Sequence, residues 1–313
     1  MMYAANQQEK WIAMMLEKCS ASINQTGRGR WELALVNGKS VSATATLLDG
    51  WLSIDAPVSD RIDRADLWRL LVLNASLAGL SKFVLMPDHR SVHVRSEISI
   101  AEEEDEFEAD VASNSATRVQ EACAGMKGAL SRIHDEKPGG ILKSKAASDN
   151  HEAAKPEHLR RVCEEIGWRF TERSAGKLVV DLEAQGGFFQ ATVEQRSVGA
   201  RVSAEVARWN ALAESSRHAL AVLLLRAGAL VRMARPAIEE DESQIGARFE
   251  VVFKELPRAF ELAHALSALS VACALCGREA RAVQDEIIAR EYLTIGNHFS
   301  QRAEPSRLMV AAD

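Results

Sequence analysis

The sequence predicts an α+β fold of two tandem α-β-β-β-α-β-β-α domains, each an antiparallel sheet with helices packed on it. Three observations point there. One pattern of short helix, three strands, apolar helix, two strands and long helix runs over residues 8–133 and again over 156–293. The strands alternate apolar and polar residues at period two and are joined by short turns, the mark of antiparallel hairpins. The chain's 313 residues exceed one typical core and suit two domains of about 130 to 150 residues.

In the first copy, Trp11, Ile12, Met15 and Leu16 recur one helical turn apart and predict a short amphipathic helix ending near Cys19. Residues 31–35 alternate, Val36-Asn37-Gly38-Lys39 signals a hairpin, and Val41, Ala43, Ala45 and Leu47 alternate again. Asp49-Gly50 makes the next turn, and residues 51–56 give a third strand before Pro57. Residues 65–79 are apolar around most of the circumference, as a helix lying across a sheet should be, with Gly79 as its C-terminal cap. Residues 82–86 and 91–98 form a second hairpin, and a long helix over about 104–133 closes the copy.

The second copy keeps that order. Residues 157–168 form the short helix, with Leu159, Val162, Cys163 and Ile166 on one face. Strands follow over 177–183, 188–195 and 198–206, with Gly186-Gly187 as the first turn. The apolar helix covers 215–231, two strands cover 232–238 and 245–253, and a helix covers 256–293 with its expected break near Gly277. Gly29-Arg30-Trp31-Glu32-Leu33-Ala34-Leu35 lies over Gly176-Lys177-Leu178-Val179-Val180-Asp181-Leu182, and Ser42-Ala43-Thr44 over Gln190-Ala191-Thr192 with one residue of slip. The domains are therefore 1–134 and 156–295. Residues 135–155, with Lys-Pro-Gly-Gly and little to bury, form a linker, and 296–313 a loose tail.

Composition narrows the function classes. At 47% hydrophobic and 26% charged the chain has the make-up of an ordinary globular protein. Residues 1–140 carry a formal charge of −5 and residues 141–313 one of −1, a balance that repels phosphate backbones and argues against nucleic-acid partners. The start lacks the basic stretch and apolar core of a secretory signal, so a cytoplasmic location is expected. The apolar stretches 219–233 and 259–276 are interrupted by Arg226 and by Glu261 with His264 and read as buried helices, so no membrane span is expected. Cys19, Cys123, Cys163, Cys273 and Cys276 are scattered through apolar helical stretches, where cysteine behaves as a small hydrophobe, and structural disulfides are not expected.

No residue pattern calls for a reaction. Cys273-Ala274-Leu275-Cys276 lacks the second pair that zinc wants, and His264 is about 13 Å away along the same helix. Glu102, Glu103, Glu104, Asp105, Glu106, Glu108 and Asp110 crowd a helix start, where negative charge meets the positive end of the dipole. Asp88-His89-Arg90 falls in a turn and His93 in the next strand, with no nucleophile placed beside them. Gly27-Arg28-Gly29 lacks a third glycine and precedes a strand instead of opening a helix. The expectation is no enzyme, no cofactor and no metal.

Strand parity sorts the side chains by face. Leu178, Val180, Leu182, Phe189, Ala191 and Val193 point inward, which leaves Val179, Phe188, Gln190 and Thr192 outward. In the first copy Glu32, Ser42, Thr44, Leu48 and Trp51 point outward. The apolar members Trp51, Leu48, Val179 and Phe188 are the candidate partner-binding residues. The competing explanation is that they pack against the other copy or a crossing loop.

This element order, carried by segments such as residues 176–182, 188–195 and 218–231, resembles the class I chaperones of type III secretion and the broader set with that fold, the YbjN-like putative sensory transduction regulators. The resemblance covers nearly the whole chain as two tandem copies. It implies binding without catalysis: family members with the chaperone role form two-fold dimers around which an extended, partly unfolded client wraps. A tandem chain then looks like a covalent pseudo-dimer, with chain-to-chain dimerisation left open. The partner is a protein or extended peptide client, and the alternative is an intracellular signalling or regulatory protein of the sensory transduction regulator type.

Overall fold

The computed structural model describes residues 2–37, 39–59, 67–77, 79–86, 91–100, 109–135, 157–184, 187–197, 199–241 and 244–302. The first unit comprises α1 (Met2–Cys19), β1 (Ser22–Gly27), β2 (Arg30–Asn37), β3 (Lys39–Leu48), β4 (Trp51–Ser59), α2 (Leu67–Ser76), β5 (Ser81–Leu85), β6 (Val92–Ser99) and α3 (Ala109–Asp135). The second comprises α4 (Glu157–Glu165), β7 (Phe170–Ser174), β8 (Lys177–Ala184), β9 (Gly187–Gln195), β10 (Ala200–Arg208), α5 (Glu214–Leu230), β11 (Arg235–Asp241), β12 (Gln244–Phe253), α6 (Ala259–Ala282) and α7 (Glu286–Arg302). Residues 136–155 of the expected linker, the acidic run Glu102 to Glu108 and the turn Asp88-His89-Arg90 lie outside the described residues, and Asp135 ends α3.

Each unit is one six-stranded antiparallel sheet, ordered β1-β2-β3-β4-β6-β5 in the first and β7-β8-β9-β10-β12-β11 in the second. The α+β class and the tandem arrangement are thus as the sequence predicts, with one strand more per unit. The added strands, β1 and β7, are outer strands whose residues are almost all exposed. Ser-Ile-Asn-Gln-Thr-Gly and Phe-Thr-Glu-Arg-Ser bury no face, so the period-two signal has nothing to act on.

Ladder register shows the repeat residue by residue. From Trp31, cross-strand partners run to Ala45, Ile54 and Ser96; from Leu178, overlaid on Trp31 in the sequence, they run to Val193, Val202 and Val251. All of these are buried. The overlaid glycines behave alike too. Gly29 (φ 61°) and Gly176 (φ 73°) both adopt the left-handed conformation that the turns require, and their carbonyls accept from Leu47 N at 2.7 Å and Gln195 N at 2.8 Å.

Two boundaries differ for local reasons. β4 runs on through Pro57 because pairing with β3 ends at Asp55, so the missing N–H costs no bond on that side. The last helix breaks after Ala282, and Gly277 stays helical. Asp285 Oδ1 accepts from Ile287 N at 2.9 Å and Ile288 N at 3.2 Å, capping α7. Gly277 serves packing instead: a Cβ there would lie 2.3 Å from Phe189 Cζ. α7 continues to Arg302, through the start of the expected tail.

The units dock reciprocally. α2 lies more on β11 of the second unit than on its own β5, and α5 lies more on β5 than on its own β11. Each contact repeats with the roles of the units exchanged, as in an isologous interface between two copies. β5 and β11 are the inner sheet edges, and each is covered by the partner unit's central helix, which removes an exposed edge from both sheets.

Polar side chains fix this docking. Asn74 of α2, fully buried, accepts from Phe83 N at 2.6 Å and donates to Phe83 O at 3.0 Å and Pro236 O at 2.8 Å. One amide therefore satisfies groups of both edge strands. By the register above, Arg95 faces Lys82 where Glu250 faces Arg235, so Lys82 and Arg235 are equivalent positions. Lys82 Nζ reaches Val231 O at 2.7 Å and Ala234 O at 3.3 Å, past the end of α5, and Glu97 at 2.7 Å. Arg235 reaches Leu77 O at 2.7 Å and Gly79 O at 3.1 Å, past the end of α2, and pairs with Glu250 at 2.7 Å. Each unit thus places a cation at the negative, carbonyl-bearing end of the other unit's helix.

The counter-ions are not equivalent. Glu250 stands directly opposite Arg235, whereas the residue opposite Lys82 is Arg95, which turns to Asp55 at 2.8 Å and to Ala229 O at 2.6 Å. Burial lowers the pKa of Lys82, and Glu97 offsets part of that. Burial also opposes charge on Glu250 and Glu239, but the neighbouring Arg235, Arg248 and Arg201 outweigh it and hold both carboxyls below the usual carboxylate range.

Both carboxyls therefore stabilise the fold above the unfolded pKa of 4.5, and that stability is lost as pH falls through their lower folded values. The expected result is a urea midpoint that drops between pH 6 and pH 3, with a smaller drop in Glu239→Gln. An equal drop in that variant would contradict the assignment.

Gly228 shows how closely the helix approaches: a Cβ there would lie 2.7 Å from Pro236 Cδ and 3.6 Å from Val84 Cγ1 of the other unit. Gly228→Ala should destabilise by about 1–3 kcal/mol through overpacking, against a helix-propensity gain of at most about 1 kcal/mol. Thermal or urea unfolding reads the sign.

Candidate functional site

The outward face of the second sheet is organised by β8 and β9. In the adjacent pair Phe188-Phe189, alternation sends the rings to opposite faces. Phe189 is half-buried against Gly277 and lies 5.7 Å from the Arg281 guanidinium. Phe188 opposes Glu183 and is 85% exposed, the most exposed large apolar side chain among the described residues. Val179 shares its face, half-buried, and between them on the ladder stand Asp181 and Gln190, whose side chains meet at 3.1 Å. Further across, Arg201 bridges Glu194 at 2.9 Å and Glu239 at 2.5 Å, and Arg248 bridges Glu239 and Glu250. The face is thus a paired polar surface with an exposed ring at Phe188, near the β8–β9 turn, and a half-buried Val179 two same-face rows away.

Leu48 and Trp51 sit at the end of the first sheet. Asp49 (φ 52°) and Gly50 (φ 72°) form the two-residue turn between β3 and β4, and Leu48 faces Trp51 across it. Leu48 is exposed, at 57%. Trp51 is engaged by the second unit: its ring centroid lies 6.2 Å from that of His264 on α6, and the Arg232 guanidinium stands 5.6 Å over the ring. The structure therefore sets Val179 and Phe188 on one face with Asp181 and Gln190 between them, leaves Leu48 on the first unit, and gives Trp51 a contact between units.

A groove of about 500 Å³ lies between the units. Leu80, Ile98, Met233 and Phe253 line it with Trp51 and His264. Two ion pairs cross from α3 to the second unit, Arg118 to Glu261 at 2.6 Å and Lys254 to Glu121 at 2.9 Å. Glu261 also caps α6, its other oxygen accepting from Arg258 N at 2.9 Å. Only the relative placement of the units creates this groove, so no pattern within one copy points to it.

Cys273 and Cys276 are buried in α6, and the Cys276 thiol donates to Ala272 O at 3.2 Å. Among the described residues no three His, Cys, Asp or Glu side chains are grouped to hold a metal ion. α6 is also the one described helix long and apolar enough to cross a membrane. Its buried side, including Leu262, Leu266 and Leu269, packs on the second sheet.

Set against family models, curated proteins and solved structures, the chain matches none of them.

Proposed function

We propose that the chain is a non-enzymatic cytoplasmic protein-binding module of chaperone or adaptor character, resembling the class I type III secretion chaperones, with its two units acting as a covalent pseudo-dimer that holds an extended client segment. The carrying observation is Phe188. A phenylalanine ring 85% exposed is poor use of apolar surface unless something covers it. Reciprocal docking covers the β11–β12 side of this face, while Asp181, Phe188 and Gln190 on β8 and β9 stay exposed. Asp181 and Gln190 already pair with each other, leaving the Phe188 ring as the part with interaction to offer.

The test is a photo-crosslinking residue at position 188 in the native cell, paired with Phe188→Asp. The expected result is crosslinks to a partly unfolded polypeptide, lost in Phe188→Asp while that variant keeps its stability within about 0.5 kcal/mol, as exposed substitutions do. Crosslinks to folded signalling proteins would favour the regulatory alternative, and none at all would remove the binding role of this face.

A further inference from the structure

We propose that the exposed Phe188 ring is an arginine subsite, where a guanidinium of the client segment stacks on the ring and pairs with the Asp181 carboxylate. The inference rests on the client-binding reading of this face and names the chemistry that the face selects. The β8–β9 hairpin sorts its outward charges by rung. Lys177 faces Glu194, Val179 faces Thr192, Asp181 faces Gln190 and Glu183 faces Phe188. Both signs meet on the first rung, whereas residues 178–193 hold Asp181 and Glu183 and no lysine or arginine. Phe188 thus stands where the charge of the hairpin is wholly negative. Asp181 is exposed and accepts from the neutral Gln190 amide at 3.1 Å, which engages one oxygen and leaves the charge uncompensated. The arginines further across the face are engaged already, Arg201 with Glu194 and Glu239, Arg248 with Glu239 and Glu250.

An open ring beside a carboxylate suits a cation. The face of an aromatic ring is its negative side, and a cation within about 6 Å of the centroid is attracted to it. On the ladder Asp181 is the diagonal neighbour of Phe188, about 7–8 Å away for such pairs. One guanidinium spans the two, laying its plane on the ring and forking its N–H groups to the carboxylate. An ammonium, a compact and strongly hydrated point charge, stacks less well and cannot fork. The chain makes this pairing twice within itself: the Arg281 guanidinium lies 5.7 Å from the Phe189 centroid, and that of Arg232 lies 5.6 Å from the Trp51 centroid. Among the described residues no arginine stands over Phe188, so that place is left for one from outside. The formal charge of −6 on the chain draws a basic segment towards it.

The test titrates the full chain, isotopically labelled at its phenylalanine rings, with the capped peptide Thr-Val-Thr-Arg-Thr-Val-Thr and with twins carrying citrulline, lysine or glutamate in place of arginine. Phe188→Leu assigns the ring signal by removing it. The expected result is a saturable shift of the Phe188 signal with the arginine peptide, and binding about two- to five-fold weaker with citrulline, which keeps the shape and lacks the charge. Lysine should fall between them and glutamate below both. Asp181→Asn should weaken the arginine peptide by up to about five-fold and leave the citrulline peptide unchanged. No shift at Phe188, equal binding of the arginine and citrulline peptides, or lysine binding as tightly as arginine would each overturn the proposal. In the cell, a segment crosslinked at position 188 should carry an arginine beside the crosslinked residue. A crosslinked segment without one overturns the subsite and leaves the binding role of the face intact, whereas no crosslink alongside the peptide preference removes the client reading and leaves the subsite standing.

Discussion

Arg235→Ala should cost the fold about 3–5 kcal/mol, the range for removing one partner of a buried ion pair. The guanidinium is 2% exposed and Glu250 is 1% exposed, so the abandoned carboxylate has little water to turn to. The substitution also strips the carbonyls of Leu77 and Gly79 of their donor at the end of α2. Arg248, 3.3 Å from the far oxygen of Glu250, retains part of the charge balance and places the result toward the lower end of the range. Arg235→Lys should recover part of the loss, since Lys82 does the equivalent work in the first unit with a single ammonium. It cannot recover all of it, because Arg235 presents two nitrogens to Glu250 at 3.0 and 2.7 Å while a third atom serves the carbonyls. Urea unfolding at pH 7 measures both variants.

Asn74→Leu should cost about 3 kcal/mol, although the new side chain is close in size and suits its surroundings. Size is not the issue. The buried N–H of Phe83 loses its acceptor, and the carbonyls of Phe83 and Pro236 lose their donor, at about 1–3 kcal/mol for each buried group left unsatisfied, partly relieved by relaxation. Asn74→Asp separates the contributions, since it keeps the acceptor for Phe83 N and removes only the donors. It also buries a new charge, so a loss as large as that of Asn74→Leu is expected, with a strong pH dependence that Asn74→Leu lacks.

The tandem architecture is legible in the sequence because alternation and turn chemistry are local. Trp31, Leu33 and Leu35 read as inward from spacing alone, as do Leu178, Val180 and Leu182, and all six are buried. The Asp49-Gly50 turn is equally plain. β1 and β7 are illegible for the opposite reason: a strand with neither face in a core carries no alternation. Lys82, Glu97, Arg235 and Glu250 are illegible in a different way. They occupy outward positions of ordinary strands, and on a lone domain they would be solvated. Only docking of the second copy buries them, and no periodicity within one copy encodes what covers its outer face.

The candidate site divides along the same line. Parity places Val179 and Phe188 on one face, because alternation is a property of the strand itself. Parity also sets Trp51 outward, and there the competing explanation describes what is observed: the other unit meets it through His264 and Arg232. The groove joins residues far apart in sequence, and its assembly is a tertiary outcome.

The central claim is that the two units are one cooperative block, joined because each sheet edge is covered by the other unit's helix. Native-state hydrogen exchange on Arg235→Ala tests it most directly, with protection followed at β5 of the first unit and β12 of the second. The account predicts that both strands lose the same free energy of protection, although the substitution lies in the second unit. Loss of protection in β12 with β5 unchanged would show two independently stable domains and contradict it.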